Sequence, residues 1–189
     1  LPAEDALGLS RYGSKTNGNV SIAVPVFSRV ANFDDLDPLA AEPDVDLVMV
    51  QQGEPIPAGV DLILLTGSKA TRADLTFLFD QGWDIDIRAH IRRGGAVLGL
   101  CAGYQMLGHS VADPAGVEGT AGETKGLALL DVETVLSGDK TLRPVEGREL
   151  RSDLPVLGYE MHIGETDGPA LVNPMLRLGD RNDGAVSRD

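Results

Sequence analysis

The segment Ala96-Val97-Leu98-Gly99-Leu100-Cys101-Ala102-Gly103 carries an apolar run into the single cysteine of a 189-residue chain and out into a helix-like stretch that begins at Ala102. Gly99, Cys101 and Gly103 give it the form G-x-C-x-G, the thiol counterpart of the G-x-S-x-G turn that presents a nucleophile at a strand-to-helix corner. Glycine suits both flanks because the corner is sharp and crowded, and a side chain there would meet the neighbouring strand or helix. A cysteine at a helix start lies near unpaired backbone N–H groups and the positive end of the dipole, a setting that favours the thiolate. A lone cysteine is otherwise commonly a small buried hydrophobe. The two glycines, the strand before and the helix after select the nucleophile reading for Cys101.

Upstream of the elbow, residues 21–27, 46–50 and 61–66 join residues 96–100 as near-continuous apolar runs, the signature of strands buried on both faces of a parallel sheet. Between them lie segments fit to be crossover helices. One begins in residues 33–39, another covers 70–79, and a third covers 82–93, where Trp83, Ile87 and Ile91 recur at spacing four and Gly94-Gly95 ends the helix. This alternation predicts an α/β fold with a doubly wound, mostly parallel sheet and a nucleophile elbow. A helix is expected over residues 102–111. Beyond it come a Gly-rich stretch, 116–126, and further strand-like runs at 127–136, 156–163 and 175–178. The C-terminal part is therefore β-rich and expected to be antiparallel, with turns at Ser137-Gly138-Asp139 and Asp183-Gly184.

Composition narrows the function. With 42% hydrophobic and 24% charged residues the chain fits one main globular domain. A formal net charge of -13 disfavours nucleic acid and anionic membranes as partners, since both would be repelled. One cysteine cannot form an internal disulfide, no run of eighteen apolar residues is present, and Leu1-Pro2-Ala3-Glu4-Asp5 does not read as a signal peptide, so a cytoplasmic location is expected. The chain opens without methionine and closes on a strand-like run cut short, as a piece of a longer protein would. His90, His109, His162 and Cys101 show none of the paired spacings of zinc sites, so no metal is expected.

Ligands of open α/β sheets bind outside the carboxyl ends of the strands. Two features meet there: the Cys101 elbow and Thr66-Gly67-Ser68-Lys69, which leaves the strand at 61–66. The second is no phosphate-binding P-loop, because it lacks both the first glycine and the Gly-Lys pair of that motif. It is either an ordinary strand-to-helix turn or an oxyanion loop, with the N–H of Gly67 or Ser68 aimed at the atom that Cys101 attacks. A thiolate attacking an amide carbonyl builds a tetrahedral oxyanion that needs donors already in place. The N–H of Ala102, just after the nucleophile, would be one donor and the 67–68 loop the other. An acid or base is also required. His90 falls on a crossover helix as a solvated or packing residue, and His109 lies at the far end of the Cys101 helix. His162, in Gly158-Tyr159-Glu160-Met161-His162 at a strand end, is the best choice within the chain.

These motifs resemble a known family. The segments Phe27-Ser28-Arg29-Val30-Ala31-Asn32-Phe33-Asp34-Asp35-Leu36-Asp37-Pro38-Leu39, Gly67-Ser68-Lys69 with Thr71-Arg72-Ala73-Asp74-Leu75, Gly99-Leu100-Cys101-Ala102-Gly103-Tyr104-Gln105-Met106-Leu107-Gly108 and Gly158-Tyr159-Glu160-Met161-His162-Ile163-Gly164 are similar to the class I glutamine amidotransferase domain of cobyric acid synthases. The resemblance implies a domain over residues 21–189 that hydrolyses glutamine through a cysteine thioester, preceded at 1–20 by a linker from an N-terminal synthetase domain. That domain would use ATP and Mg to amidate carboxylates of adenosylcobyrinate a,c-diamide, a corrinoid, on the way to cobalamin; the domain at hand would need no cofactor. The resemblance matches Cys101 to the nucleophile, the Gly67 loop to the oxyanion strand, and Tyr104 and Gln105 to places from which glutamine could be held. Thr66 and Ala102 stand where the family more usually shows proline and glycine, and neither change removes a backbone donor. The family's catalytic histidine belongs to a Gly-x-x-x-His-Gly element expected past Asp189, which leaves His162 as a residue of the site region and the isolated chain low in activity. A related amidotransferase acting on a peptidoglycan lipid precursor, and a non-catalytic docking domain on the same scaffold, are the alternatives.

Overall fold

Strands buried on both faces cannot alternate polar and apolar residues; Leu62–Leu65 follows that constraint, whereas Ala96–Gly99, expected to be buried as well, has no buried residue. The computed structural model describes residues 19–31, 33–138 and 141–187. Residues 1–18 of the expected linker, Asn32, Asp139, Lys140, Arg188 and Asp189 lie outside the described residues. The chain divides into two compact units, the first ending at Gly103 and the second beginning at Tyr104.

In the first unit, β1 (Val20–Pro25), β2 (Val45–Val50), β3 (Leu62–Leu65) and β4 (Ala96–Gly99) form one sheet in the order β2-β1-β3-β4, every pair parallel. The order reverses between β1 and β3, so the crevice at their carboxyl ends is the topological switch point at which α/β sheets take their ligands. Ile63, Leu64 and Leu65 are fully buried, and Ile22, Val24, Leu36, Leu47 and Leu64 form a packed cluster. A 3-10 turn, Phe33–Leu36, leads into α1 (Asp37–Ala41), followed later by α2 (Thr71–Asp80) and α3 (Trp83–Arg92). The indole of Trp83 is fully buried, stands edge-on to Phe77 at 5.6 Å and donates Nε1–H to the carbonyl of Glu54 at 2.8 Å. His90 is a packing residue on the inner side of α3: it is buried and its Nε2 lies 3.0 Å from the carbonyl oxygen of Ala96. Ile91, at the expected apolar spacing, is exposed instead.

The expected helix over 102–111 is shorter than the sequence pattern suggests: α4 covers only Ala102–Met106, beginning in the last two residues of the first unit. The physical reason is at Gly108 and His109. A Cβ on Gly108 would lie 2.6 Å from the carbonyl oxygen of Val132, and His109 donates its N–H to that same carbonyl while its own carbonyl accepts from Gly126. Sheet pairing thus takes the backbone that another helical turn would need. β5 (Ser110–Asp113), β6 (Gly122–Lys125), β7 (Glu133–Val135) and β10 (Glu165–Asp167) form one sheet, β10-β7-β5-β6; β8 (Thr141–Glu149), β9 (Pro155–His162), β11 (Leu176–Leu178) and β12 (Arg181–Asp183) form another, β12-β11-β8-β9. The second sheet is antiparallel throughout, as expected, whereas β5 and β7 pair in parallel. The strand expected over 127–136 reduces to β7; the residues before it turn back on Leu107 and Gly108 through backbone hydrogen bonds. Asp113 is fully buried and explains the glycine-rich loop that follows, since its carboxylate accepts the N–H groups of Val117 and Glu118 at 2.7 and 3.0 Å.

Candidate active site

The turn between β4 and α4 places Cys101 in a conformation that L-residues avoid. Its φ is +52°, in the left-handed region, and its side chain is exposed. Such a conformation costs on the order of 1–2 kcal/mol for a residue with a Cβ, and it persists only where the surroundings over-determine it. Here they do. Leu100 donates its N–H to the carbonyl of Leu65 at 2.9 Å, Gly103 donates to Leu100 at 2.9 Å, and a Cβ on Gly103 would lie 2.1 Å from the carbonyl oxygen of Leu65. Helix α4 therefore starts hard against the end of β3, and the chain has to reverse within one residue. Ala102 is buried as the first residue of α4, so its N–H is one of the helix-start donors without an intrahelical partner.

The loop after β3 lies beside the thiol. A Cβ built on Gly67 would sit 3.8 Å from Cys101 Cβ and 3.5 Å from the carbonyl oxygen of Ala31, so a side chain at 67 would be in van der Waals contact with the cysteine. This loop is strapped to the segment after β1 as a short antiparallel bridge between Val30 and Ser68: Ala31 N–H donates to Gly67 O at 3.0 Å and Lys69 N–H to Arg29 O at 2.9 Å. In such a ladder alternate residues turn their N–H and C=O to opposite sides. Gly67 and Lys69 face the strap, and Ser68, between them, turns its own N–H the other way.

The side chain of Ser68 is held as well. It donates to Asp74 Oδ2 at 2.6 Å and accepts the N–H of Ala70 at 2.9 Å. Asp74, in the first turn of α2 and fully buried, also accepts from Ser28 Oγ at 2.6 Å and from the N–H of Arg29 at 3.2 Å. No local sequence signal marks this role: an acidic residue in a first helical turn is an ordinary partner of the helix dipole, and the partners at 28 and 29 are 46 and 45 positions away.

The remaining expected site residues belong to the second unit. Tyr104 has its hydroxyl buried with no hydrogen-bond partner among the described residues, and burial, then the charge of Asp183, pushes the phenol above its ordinary pKa. Gln105 is buried and donates its side-chain amide to the carbonyl of Ile163 at 3.0 Å, just past β9. His162 ends β9 with its ring half-exposed, and Nδ1 lies 3.6 Å from Glu160 Oε1. Glu160 is gripped by Arg143 Nε at 2.8 Å and by Arg181 Nη2. Burial raises its proton affinity, but the Arg143 hydrogen bond and the charges of Arg181, Arg143 and His162 outweigh that, and the carboxyl lies below the usual glutamate range. His109 pairs with Asp131 at 3.0 Å.

Comparison with known proteins follows the same lines. The CobB/CobQ-like glutamine amidotransferase domain family matches residues 21–189. Cobyric acid synthase of Methylocella silvestris is 57% identical over 190 residues, covering 100% of this chain and 40% of that protein. Cobyric acid synthase of Rhizorhabdus wittichii is 60% identical over 187 residues, covering 98% of this chain and 38% of that protein. The chain thus spans about two-fifths of the length of these curated relatives. Among solved structures, PurLQS from Thermotoga maritima superposes with a TM-score of 0.64 at 16% identity, covering 88% of this chain and 78% of that one. A crystal structure of a glutamine amidotransferase gives 0.57 at 16% identity, covering 85% and 82%. At such identity these two report on the fold.

Proposed function

Because the chain belongs to the CobB/CobQ-like glutamine amidotransferase domain family, we propose that Cys101 is the nucleophile that releases ammonia from glutamine. The thiolate adds to the side-chain carboxamide carbon, and the carbonyl electron pair moves onto oxygen to give a tetrahedral oxyanion. The N–H of Ala102 and that of Ser68 in the Gly67–Ser68 loop meet this charge. Losing one such donor typically costs about 2.7 to 4 kcal/mol of barrier. Collapse re-forms the carbonyl, breaks the C–N bond and leaves a thioester, with a general acid delivering the proton that lets ammonia leave. Water then adds to the thioester, and glutamate departs as the thiol is restored.

The observation that carries this reading is the left-handed conformation of Cys101 at an exposed strand-to-helix corner, with Gly67 beside it. A cysteine kept merely for packing would be buried and unstrained. The test is glutamine hydrolysis by the full-length protein. Cys101→Ala is expected to abolish it, and undiminished hydrolysis by that variant would overturn the assignment.

Further, the ammonia serves an ATP-dependent synthetase that amidates carboxylates of adenosylcobyrinate a,c-diamide in cobalamin biosynthesis. Relatives named cobyric acid synthase, 57% and 60% identical and extending well beyond the matched region, support that acceptor over a peptidoglycan lipid precursor. Tyr104 and Gln105 serve glutamine binding in this scheme; the buried hydroxyl of Tyr104, without a hydrogen-bond partner among the described residues, is the support for the first. No helix among the described residues is long and apolar enough to cross a membrane.

A further inference from the structure

Asp74 is a carboxylate with no exposure to water, and its three hydrogen bonds come from two segments far apart in sequence. Oδ1 accepts from Ser28 Oγ; Oδ2 accepts from Ser68 Oγ and from Arg29 N–H. Among the described residues no cation is paired with it. Burying a carboxylate on neutral donors alone is costly, and a neutral side chain could link two hydroxyls at lower cost. What the carboxyl group adds is geometry, since its two oxygens take all three bonds at once, Oδ1 from Ser28 and Oδ2 from Ser68 and the N–H of Arg29.

The bonds converge on the bridge described above. The peptide of Arg29 is held from both sides, its N–H on Asp74 and its carbonyl on Lys69 N–H, and Ser68 is held through its side chain while its N–H turns away from the strap. Rotating the Ser68 peptide out of place would require breaking the Ser68–Asp74 bond or the flanking pair at Gly67 and Lys69. A Cβ on Gly67, the residue before Ser68, would lie 3.8 Å from Cys101 Cβ.

We infer that Asp74 is a positioning residue for glutamine hydrolysis: its buried carboxylate clamps Ser28 and Ser68 together and so fixes the loop whose N–H receives the oxyanion. This rests on the assignment of Cys101 as nucleophile and of the Gly67–Ser68 loop as oxyanion donor. Asp74 touches no substrate; it acts through Ser68.

The experiment compares two reactions of Cys101 in the full-length protein, with Asp74→Asn and, separately, Ser68→Ala. Glutamine hydrolysis passes through an oxyanion. Alkylation by iodoacetamide is a direct displacement of iodide by the thiolate and builds none, so it reports only exposure and ionisation of the thiol. Asp74→Asn is expected to lower kcat for glutamine by about 10- to 100-fold with KM within about threefold, since a displaced positioning group costs turnover more than binding. The iodoacetamide rate should stay within about twofold of the parent. Ser68→Ala, which leaves the bonds from Ser28 and Arg29 to Asp74 intact, should show the same split and carries the test if Asp74→Asn does not fold. The inference is overturned if kcat holds within about twofold, or if kcat and the iodoacetamide rate fall together, as a purely structural role would require. Hydrolysis that survives Cys101→Ala would instead overturn the nucleophile assignment beneath it.

Discussion

Gly103 lies so close to the end of β3 that a Cβ on it would come within 2.1 Å of the carbonyl oxygen of Leu65. That oxygen also accepts the N–H of Leu100, so one carbonyl anchors both sides of the turn that carries Cys101. Gly103→Ala must therefore push α4 away from β3 or break the Leu100 bond. The expected outcome is a loss of about 1–3 kcal/mol in stability, the usual range for overpacking, measured by urea denaturation, together with a large fall in glutamine hydrolysis. A fully active, equally stable Gly103→Ala variant would contradict the geometry of the elbow.

The left-handed conformation of Cys101 sets function against stability. Glycine adopts positive φ without penalty. Cys101→Gly is expected to match or exceed the parent in stability, by up to about 1 kcal/mol, while losing hydrolysis entirely. Cys101→Val, β-branched at the same φ, should be the least stable of the three. Paired urea melts of these variants read the strain directly.

Tyr104 buries a hydroxyl that no described residue satisfies. Removing such a group avoids its desolvation penalty, so Tyr104→Phe is expected to leave stability unchanged or raise it by up to about 1 kcal/mol. If the hydroxyl holds glutamine, KM rises several-fold in the same variant while kcat is retained, the pattern of lost uniform binding. Thermal melts and steady-state kinetics on one preparation separate the two effects.

Glu160 is held below the usual glutamate range with Arg143 and Arg181 on its carboxylate. A carboxyl whose pKa is lower folded than unfolded contributes stability that is fully present above the unfolded value, about 4.3, and lost as pH falls through the folded one. The stability difference between the parent and Glu160→Gln should therefore be constant near neutrality and close progressively below about pH 4.3. Urea midpoints measured from neutral pH into acid check this; a difference that stays constant throughout would show that the ion pairs contribute nothing.

The parallel half of the fold was legible because the apolar residues of β1, β2, β3 and β4 run together, largely buried in β1 and β3 though only partly covered in β2 and β4, and because glycines bracket the cysteine. The C-terminal half was less so. β8 contains Arg143, Pro144, Glu146 and Arg148, a composition that reads as loop, yet it pairs with β9 over eight positions, with Pro144 opposite Tyr159. Its register depends on backbone pairing and on the close approach at Gly147, where a Cβ would meet the carbonyl of Arg177 at 2.1 Å. The end of α4 was hidden for the same reason: it is set by Val132 meeting Gly108 and His109, a relation across more than twenty residues. At the candidate site the elbow could be read from Gly99, Cys101 and Gly103. Asp74 could not, because its role exists only once β1 and β3 lie side by side and bring Ser28 and Ser68 to it.

The most direct measurement is the mass of the intact full-length protein after incubation with diazo-oxo-norleucine, a glutamine analogue that alkylates the nucleophile of glutamine-hydrolysing enzymes, followed by peptide mapping. A single adduct on Cys101, formed faster than in the presence of competing glutamine and absent from Cys101→Ala, is the expected result. An unmodified Cys101, or an adduct that forms equally in Cys101→Ala, would contradict it.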